Sequence, residues 1–300
     1  MKVFITGGSG LLGQYLNKSF ATEHEIVTLY NSHPGNCLSY DSHRLDLTEW
    51  KNLKDLFIRY KPDVVVHTAA ISRPETCDVL SKEEVFEMNV KVTENLAGLC
   101  ADCSSKMIFT STDLVYDGNS GGMLTELARI SPESRYAESK IFAEESVRNT
   151  GCDHIILRTS LLYGFGLNHS TNNFHSTYDK FVKGEKAGLF HDQFRTPLAL
   201  HDAANMIGAI AEKRMSNETI NFGGSERVSR AELGERLCDN CGFDKKLINR
   251  ISMNDVKGAH KVADVSMNTE KLNSFGIFQK GIDESLEEIL SNRNSSIQNS

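Results

Sequence analysis

Near its N-terminus the chain reads Val3-Phe-Ile-Thr-Gly-Gly-Ser-Gly-Leu-Leu-Gly13, a short apolar run followed by glycines spaced three residues apart. The apolar run predicts a buried strand, and the residues from about Leu11 onward predict a helix. Glycines at this spacing let the backbone turn tightly and approach a diphosphate, while the helix N-terminus offers free N–H groups to the anion. Because the motif joins a strand to a helix, we expect a dinucleotide-binding loop. Its residues are Gly7, Gly10, Leu11, Leu12 and Gly13.

Short apolar runs alternate with helical stretches along the first half of the chain. The predicted strands are Val3–Thr6, Glu25–Tyr30, Arg44–Asp46, Asp63–His67, Met107–Ser111 and His154–Arg158. The predicted helices include Thr48–Tyr60, one that starts at Ser81 and Tyr136–Asn149. Strands that are apolar throughout, separated by helices, are typical of a parallel sheet covered on both faces. The sequence therefore predicts an α/β fold with a Rossmann-type doubly wound parallel sheet.

The alternation weakens beyond residue 164. Residues 163–177 are rich in Gly, Asn, Ser and His and predict a long irregular segment, a kind that is usually functional. Short strands follow at Ala187–Phe190 and Thr219–Phe222, and Ser229 opens a helix with a capping box. We expect a dinucleotide-binding domain at 1–164. Residues 165–292 are expected to form mainly a smaller substrate-binding lobe, with some chain returning to the first domain, and 293–300 a polar tail.

Composition narrows the class of protein. The chain has 300 residues, 39% hydrophobic side chains and a net charge of −7, which predicts a soluble globular protein with a large core. The acidic balance argues against nucleic acid and membrane partners. The N-terminal apolar run is too short for a signal peptide, and the seven scattered cysteines fit reduced thiols, so we expect a cytoplasmic location. Two Cys-x-x-Cys pairs, at 100/103 and 238/241, fit buried packing better than zinc, and we expect no metal site.

Tyr136 and Lys140 are four residues apart on a predicted helix, so both side chains face the same space. A nearby ammonium, helped by an oxidised nicotinamide, favours the phenolate, and we therefore expect Lys140 to lower the pKa of Tyr136. Such pairs are equally common on solvent-facing helices. Thr112 follows a predicted strand, where its hydroxyl can hold a substrate carbonyl while Tyr136 gives the proton. Asn89 is expected either to anchor a water or Lys140 or to be structural.

The second predicted strand ends in Tyr30-Asn-Ser-His33, where many NAD-binding sites carry an acid that binds the adenosine ribose. Neither a carboxylate nor an arginine is present in this stretch. Without an acid to repel a 2′-phosphate, NADPH is the preferred cofactor, and NADH stays open. We expect Asn31 and Ser32 at the ribose and Asp46 and Leu47 at the adenine, although Asp46 is also a natural cap for the helix after it.

Further motifs extend along the chain: Pro62-Asp-Val-Val-Val-His-Thr-Ala-Ala70, Ser111-Thr-Asp-Leu-Val-Tyr-Asp-Gly118, Leu157-Arg-Thr-Ser-Leu-Leu-Tyr-Gly164 and Asp264-Val-Ser-Met267 with Lys271-Leu272. With the glycine loop and Tyr136-x-x-x-Lys140, they make the chain resemble the extended short-chain dehydrogenases, and among them the dTDP-4-dehydrorhamnose reductase family. The resemblance covers nearly the whole chain. It implies that Thr112, Tyr136 and Lys140 are catalytic and that Ala69 and Ala70 line the cofactor cleft.

The resemblance implies reduction of the C4 ketone of a nucleotide-linked 6-deoxysugar by NAD(P)H. Related dehydratases carry Asp-Glu after the matching threonine, whereas this chain has Asp113-Leu114, which favours simple reduction. The family segment Asp-Gln-x-Gly-x-Pro-Thr appears as Asp192-Gln-Phe-Arg-Thr-Pro-Leu198, with Arg195 in place of glycine. Arg195 is expected either to clamp a diphosphate or to form a surface ion pair. Asp113, Asn173 and Arg195 are the expected substrate residues.

Two other functions remain open at this point. One is a sugar-nucleotide epimerase of the same superfamily, which would regenerate its cofactor in every cycle. The other is a regulatory subunit, because the chain is also similar to the beta subunits of methionine adenosyltransferase at Ser72-Arg-Pro-Glu75 and Ala211-Glu-Lys-Arg-Met215. A cofactor cleft can be kept as a ligand-binding shape without catalysis. The assembly is left open, with a homodimer as one option.

Overall fold

The structure, a computed structural model, describes residues 1–258 and 260–298, with a seven-stranded parallel sheet at its centre. The strands are β1 (Lys2–Thr6), β2 (Glu25–Tyr30), β3 (Asp41–Arg44), β4 (Val64–His67), β5 (Lys106–Thr112), β6 (His154–Thr159), β7 (Leu162–Tyr163), β8 (Ala187–Phe190), β9 (Phe194–Arg195), β10 (Leu198–Ala199), β11 (Glu218–Phe222), β12 (Val228–Ser229) and β13 (Ile248–Ile251). The α-helices are α1 (Gly13–Phe20), α2 (Trp50–Tyr60), α3 (Pro74–Val79), α4 (Lys82–Phe86), α5 (Val92–Cys103), α6 (Arg135–Thr150), α7 (Asn173–Val182), α8 (Leu200–Glu212), α9 (Arg230–Cys241), α10 (Glu270–Ser274) and α11 (Ile282–Gln298). A π-helical turn, Glu87–Lys91, joins α4 to α5.

The central sheet has the strand order β11-β6-β5-β4-β1-β2-β3, and every neighbouring pair is parallel. From β1 the chain moves outward through β2 and β3 and then returns to β4 on the other side. This confirms the predicted Rossmann-type doubly wound fold. The two crossovers diverge between β1 and β4, which is where folds of this type open a crevice at the carboxyl ends of their strands.

Helices on both faces bury the sheet, as the apolar strands require. Val3 and Ile5 of β1 pack with Leu16 of α1 on one face, whereas Phe4 packs with Phe57 of α2 on the other. All five side chains are fully buried, and burial of each contributes about 1.5–3 kcal/mol to folding. Because successive side chains of a strand point to opposite faces, β1 contributes to two separate hydrophobic cores.

Two boundaries differ from the sequence-based expectation. The third strand covers Asp41–Arg44 instead of Arg44–Asp46, and the apolar Leu45 and Leu47 are buried in the loop that follows it. The segment 163–177 is also less irregular than expected, because α7 begins at Asn173. Asn172 caps this helix by accepting a hydrogen bond from the backbone N–H of His175 at 2.8 Å.

The chain beyond residue 164 forms a smaller apolar core but also returns to the central sheet. Helices α7, α9 and α11 contribute to this core together with β8. Strand β11 completes the central sheet beside β6, and α8 packs against α1. Tyr15 of α1 donates a hydrogen bond to the carbonyl of Phe165 at 2.7 Å, so the two parts of the chain meet beside the glycine loop. None of the helices in 1–258 and 260–298 combines the length and apolar character needed to cross a bilayer.

Candidate active site

The carboxyl ends of the central strands surround a cleft of about 580 Å³. It opens beside the divergence between β1 and β4. The expected site residues in its lining are Gly7, Gly10, Leu11, Leu12, Gly13, Asn31, Asp46, Leu47, Ala69, Ala70, Thr112, Asp113, Tyr136, Lys140 and Arg195. Ser32 and Asn173 are exposed and lie outside this lining. Asn173 is the first residue of α7, and its contact with the substrate stays a prediction.

Three of the four glycines in the loop, Gly7, Gly10 and Gly13, give it the shape that a diphosphate needs, each in a different way. Gly7 has a φ of +68°, and a Cβ there would lie 2.8 Å from the backbone nitrogen of Ala69. A Cβ on Gly13 would overlap the carbonyl of Gly7, so this glycine lets α1 pack against the loop. A Cβ on Gly10 would contact only the Gly7 carbonyl, at 3.0 Å, and would otherwise project into open space. The N-cap of α1 is Leu12, whose side chain has no acceptor for the first N–H groups.

The three expected catalytic residues meet in this cleft. Thr112 is the last residue of β5, and Tyr136 and Lys140 occupy the first two turns of α6. Ser134 caps α6 by accepting a hydrogen bond from the backbone N–H of Ala137 at 3.2 Å, which fixes where the helix begins. Tyr136 is 8% exposed and Lys140 2% exposed. The alternative of a solvent-facing helix pair is therefore wrong.

Burial moves both pKa values away from their ordinary range. It raises the pKa of Tyr136, the negative charge of Asp113 raises it further, and a hydrogen bond with Thr112 opposes both effects. Burial lowers the pKa of Lys140 to about 7, against a smaller opposing effect of Glu144. In the protein without a nicotinamide the pKa of Tyr136 is thus raised, because desolvation of the phenolate dominates, and the lowering expected with the oxidised cofactor stays a prediction.

The surroundings of Lys140 explain why Glu144 does not neutralise it. The ammonium lies over the Phe109 ring, 4.4 Å from its centroid. One oxygen of Glu144 lies 2.9 Å from Nη2 of Arg158, and the other accepts a hydrogen bond from Ser111 at 2.7 Å. Glu144 is therefore committed to a buried ion pair with Arg158, which leaves Lys140 facing the cleft with its charge poorly compensated.

Asn89 has a structural role. Its side-chain nitrogen donates to Ser139 at 3.0 Å and to the carbonyl of Ile71 at 3.1 Å, and its oxygen accepts from the backbone N–H of Ile71 at 2.8 Å. These bonds tie the loop after β4 to α6. Asn89 thereby helps to hold the helix that carries Tyr136 and Lys140, and the structural alternative fits its contacts.

The opposite wall of the cleft carries buried charges. Nε of Arg195 lies 3.5 Å from an oxygen of Asp113, and both side chains are buried, so the alternative of a surface ion pair is wrong. Arg230, the first residue of α9, also lines the cleft. Burial lowers the pKa of both guanidiniums, and the nearby charge of Arg195 helps to lower that of Arg230 to about 10. Burial also raises the pKa of Asp113 despite Arg195.

The sequence predicted that Asp46 belongs to the site, but it did not predict Arg230. Asp46 accepts hydrogen bonds from the backbone N–H of Thr48 at 3.0 Å and from its hydroxyl at 2.7 Å, so it caps the turn before α2 and also lines the cleft. These bonds close a turn and do not cap α2, whose N-cap is Glu49, and a contact of Asp46 with the adenine stays a prediction. Sequence reasoning missed Arg230, although the capping box at Ser229 located the start of its helix. Other cleft residues not predicted include Ser9, Tyr30, Thr68, Ser72, Met88 and Ser160.

Comparison with known proteins gives one family over nearly the full chain. A family model described as "RmlD substrate binding domain" matches residues 1–294. The chain is 28% identical to the "Probable low-salt glycan biosynthesis reductase Agl14" of Haloferax volcanii, over 85% of each chain. It is 27% identical to methionine adenosyltransferase 2 subunit beta of Mus musculus, over 95% of this chain and 87% of that one.

A solved structure has the same fold. The dTDP-4-dehydrorhamnose reductase of Bacillus anthracis, in complex with NADP, superposes with a TM-score of 0.83. The match covers 97% of this chain and 99% of the other, at 20% identity. At that identity the likeness establishes the architecture.

Proposed function

The chain belongs to the RmlD substrate binding domain family, and from this premise we propose that it is a reductase that uses NAD(P)H to reduce the C4 ketone of a nucleotide-linked 6-deoxysugar. The observation that carries the proposal is the convergence of Thr112, Tyr136 and Lys140 on the cleft that the glycine loop borders. In this proposal the dinucleotide binds at the loop and the ketone beside the phenol, within the same cleft. The glycine loop and the three residues thus serve one reaction in this proposal.

Tyr136 is the proton donor in this proposal. The bound nicotinamide supplies a hydride to the ketone carbon. Tyr136 gives its phenolic proton to the carbonyl oxygen, while the hydroxyl of Thr112 holds that oxygen in place. Its raised pKa keeps Tyr136 protonated at neutral pH, which is the form that a donor must have before the reaction. The alkoxide that develops on the substrate is a stronger base than the phenolate, so the proton moves toward it.

Lys140 has two tasks. Its amino group holds the ribose next to the nicotinamide by hydrogen bonds. When it is protonated, its charge also stabilises the phenolate left on Tyr136 after proton transfer. A pKa of about 7 lets Lys140 exist in both forms at neutral pH. Glu144 and Arg158 position it by fixing the next turn of α6.

The wall of the cleft that carries Arg195 and Arg230 suits the dianionic diphosphate of a sugar nucleotide. Arg195 and Arg230 place two guanidiniums on the wall of the cleft, and Asp113, Asp264 and Glu75 are the acids that act on their charge. Guanidiniums bind phosphate oxygens in pairs of parallel hydrogen bonds. Leu114 stands where related dehydratases have a glutamate, so this chain lacks that elimination base and simple reduction is favoured.

A panel of 4-keto sugar nucleotides, each with NADPH and with NADH, tests the proposal through the absorbance of the reduced nicotinamide. We expect stoichiometric consumption of the cofactor with at least one nucleotide sugar. Epimerised product with no net consumption would replace the reductase by an epimerase. Silence across the panel would overturn the catalytic proposal.

The second candidate is a regulatory subunit. It is supported by the similarity to methionine adenosyltransferase 2 subunit beta, which covers 95% of this chain. In that case the same cleft would bind a dinucleotide without turnover. Co-purification with a methionine adenosyltransferase catalytic chain, together with silence in the reductase panel, is the result expected of this candidate.

A further inference from the structure

An arginine from β3 lies at the end of β2. In the parallel register Tyr30 pairs with Arg44, the last residue of the edge strand β3. Nε of Arg44 donates a hydrogen bond to the carbonyl of Asn31 at 3.0 Å. Asn31 itself lines the cleft, so the guanidinium is attached to the backbone at the cleft's border. The stretch 30–33 has no cation of its own, and the neighbouring strand supplies one.

The outer part of this guanidinium is available to a ligand. Arg44 is exposed, and within residues 1–258 and 260–298 its two terminal nitrogens have no hydrogen-bond or ion-pair partner. The nearby acids are engaged elsewhere: Asp46 accepts from Thr48, and Asp41 accepts from the hydroxyl of Tyr60 at 3.1 Å. The hydrogen bond to Asn31 holds Nε of Arg44. The N–H groups on its two terminal nitrogens stay available to an anion.

We propose that Arg44 binds the 2′-phosphate of NADPH and gives the cleft its preference for NADPH over NADH. The inference rests on the dinucleotide cofactor of the proposed function. The two cofactors differ only by this phosphate on the adenosine ribose, and an acid that would repel it is absent from 30–33. A guanidinium matches phosphate geometry through paired N–H donors, and it is hydrated weakly enough to exchange water for phosphate.

Protection of the sheet edge against pairing does not explain the hydrogen bond between Arg44 and Asn31. Charged residues on edge strands discourage pairing with other chains, and β3 is such a strand. That role needs a charge but no defined orientation. The hydrogen bond to Asn31 orients Arg44 toward the carboxyl end of the sheet, where the cleft lies.

Titration calorimetry with NADPH and NADH on the full-length protein tests this inference without any substrate. Arg44→Gln should raise the Kd for NADPH roughly 10- to 100-fold, as expected for loss of charge-assisted hydrogen bonds, and change the Kd for NADH by less than about twofold. Arg44→Lys should give an intermediate loss, because lysine keeps the charge but not the fork. The matched control is Arg59→Gln, an exposed arginine at the end of α2 whose guanidinium lies over the Tyr60 ring instead of at the carbonyl of Asn31.

A shorter probe separates the phosphate from the rest of the cofactor. Adenosine 2′,5′-bisphosphate should displace NADPH from the wild type far better than AMP does, and Arg44→Gln should remove most of that advantage. Equal losses for NADPH and NADH, or no loss for either, would overturn the role of Arg44 and leave the reductase proposal standing. A selective loss for NADPH in a protein that reduces no sugar nucleotide would support Arg44 and overturn the reductase. Failure of the wild type to bind either dinucleotide would overturn both.

Discussion

Replacing Tyr136 by phenylalanine removes one oxygen and tests the proposed chemistry directly. If Tyr136 donates the proton, kcat should fall roughly 10²- to 10⁴-fold, the usual contribution of a positioned general acid. This corresponds to about 3–5 kcal/mol of lost transition-state stabilisation. The affinity for the dinucleotide should stay nearly unchanged, because the proposed ribose contact belongs to Lys140.

The structure indicates that the variant will fold. The Tyr136 ring packs with Cys77 and Val85, and phenylalanine keeps that apolar contact. The hydroxyl of Thr112 loses one partner but still accepts from the backbone N–H of Leu114 at 3.3 Å and donates to Asp113 at 3.3 Å. The Thr112 hydroxyl is thus not orphaned, so the cost in unfolding free energy should be about 1 kcal/mol or less.

The assay is single-turnover oxidation of NADPH with the best sugar nucleotide from the panel, which isolates chemistry from product release. Two variants serve as comparisons. Thr112→Val should lower turnover and spare cofactor affinity, whereas Lys140→Met should impair both. A folded Tyr136→Phe protein with full single-turnover rate would refute the assignment of the donor and favour the regulatory candidate.

Three further results are expected. Gly10→Asp should abolish dinucleotide binding in calorimetry with little change in Tm, because the side chain enters open cleft space that the diphosphate needs; unchanged affinity would contradict the cofactor site. Asn31→Asp should weaken NADPH much more than NADH, since it sets a carboxylate against the 2′-phosphate; equal weakening would place Asn31 away from the ribose. The pKa of Lys140 is about 7, so at about pH 8 most of this amine is neutral in the free protein. The phosphates and ribose of NADPH should raise that pKa, and binding at this pH should therefore take up protons. Calorimetry in buffers of different ionisation enthalpy checks this, and Lys140→Met should remove the uptake.

The sequence predicted the parts of the molecule whose cause is local. The buried strands β1, β4 and β5 each contain a run of consecutive apolar residues, so they could be located from the sequence alone. Tyr136 and Lys140 could be paired because helical spacing puts them on one face, and the strand before Thr112 identified the sheet edge. Each of these inferences depends on a few consecutive residues, where backbone geometry and side-chain pattern agree.

The electrostatics and the far wall of the cleft depend on tertiary structure. An ammonium four residues from Tyr136 predicts a lowered pKa for the phenol, but desolvation by the surrounding protein and the charge of Asp113 raise it. Arg230 reaches the cleft only because β12, which leads into α9, pairs with β9, a contact between distant parts of the chain. Asn173 is exposed as the first residue of α7, which Asn172 caps, and its role at the substrate stays a prediction.

The misplaced third strand had the largest functional consequence. The strand was predicted too far along the chain because Leu45 and Leu47 are apolar. Both are buried, but they are loop residues at the border of the cleft. The true β3 is polar because it is an edge strand with one pairing partner, and it ends at Arg44. With the strand shifted, the end of β2 looked uncharged, and the preference for NADPH rested only on a missing acid. In the observed register Arg44 stands beside the end of β2, so the proposed preference for NADPH rests on a cation as well as on a missing acid, and Arg44→Gln tests it.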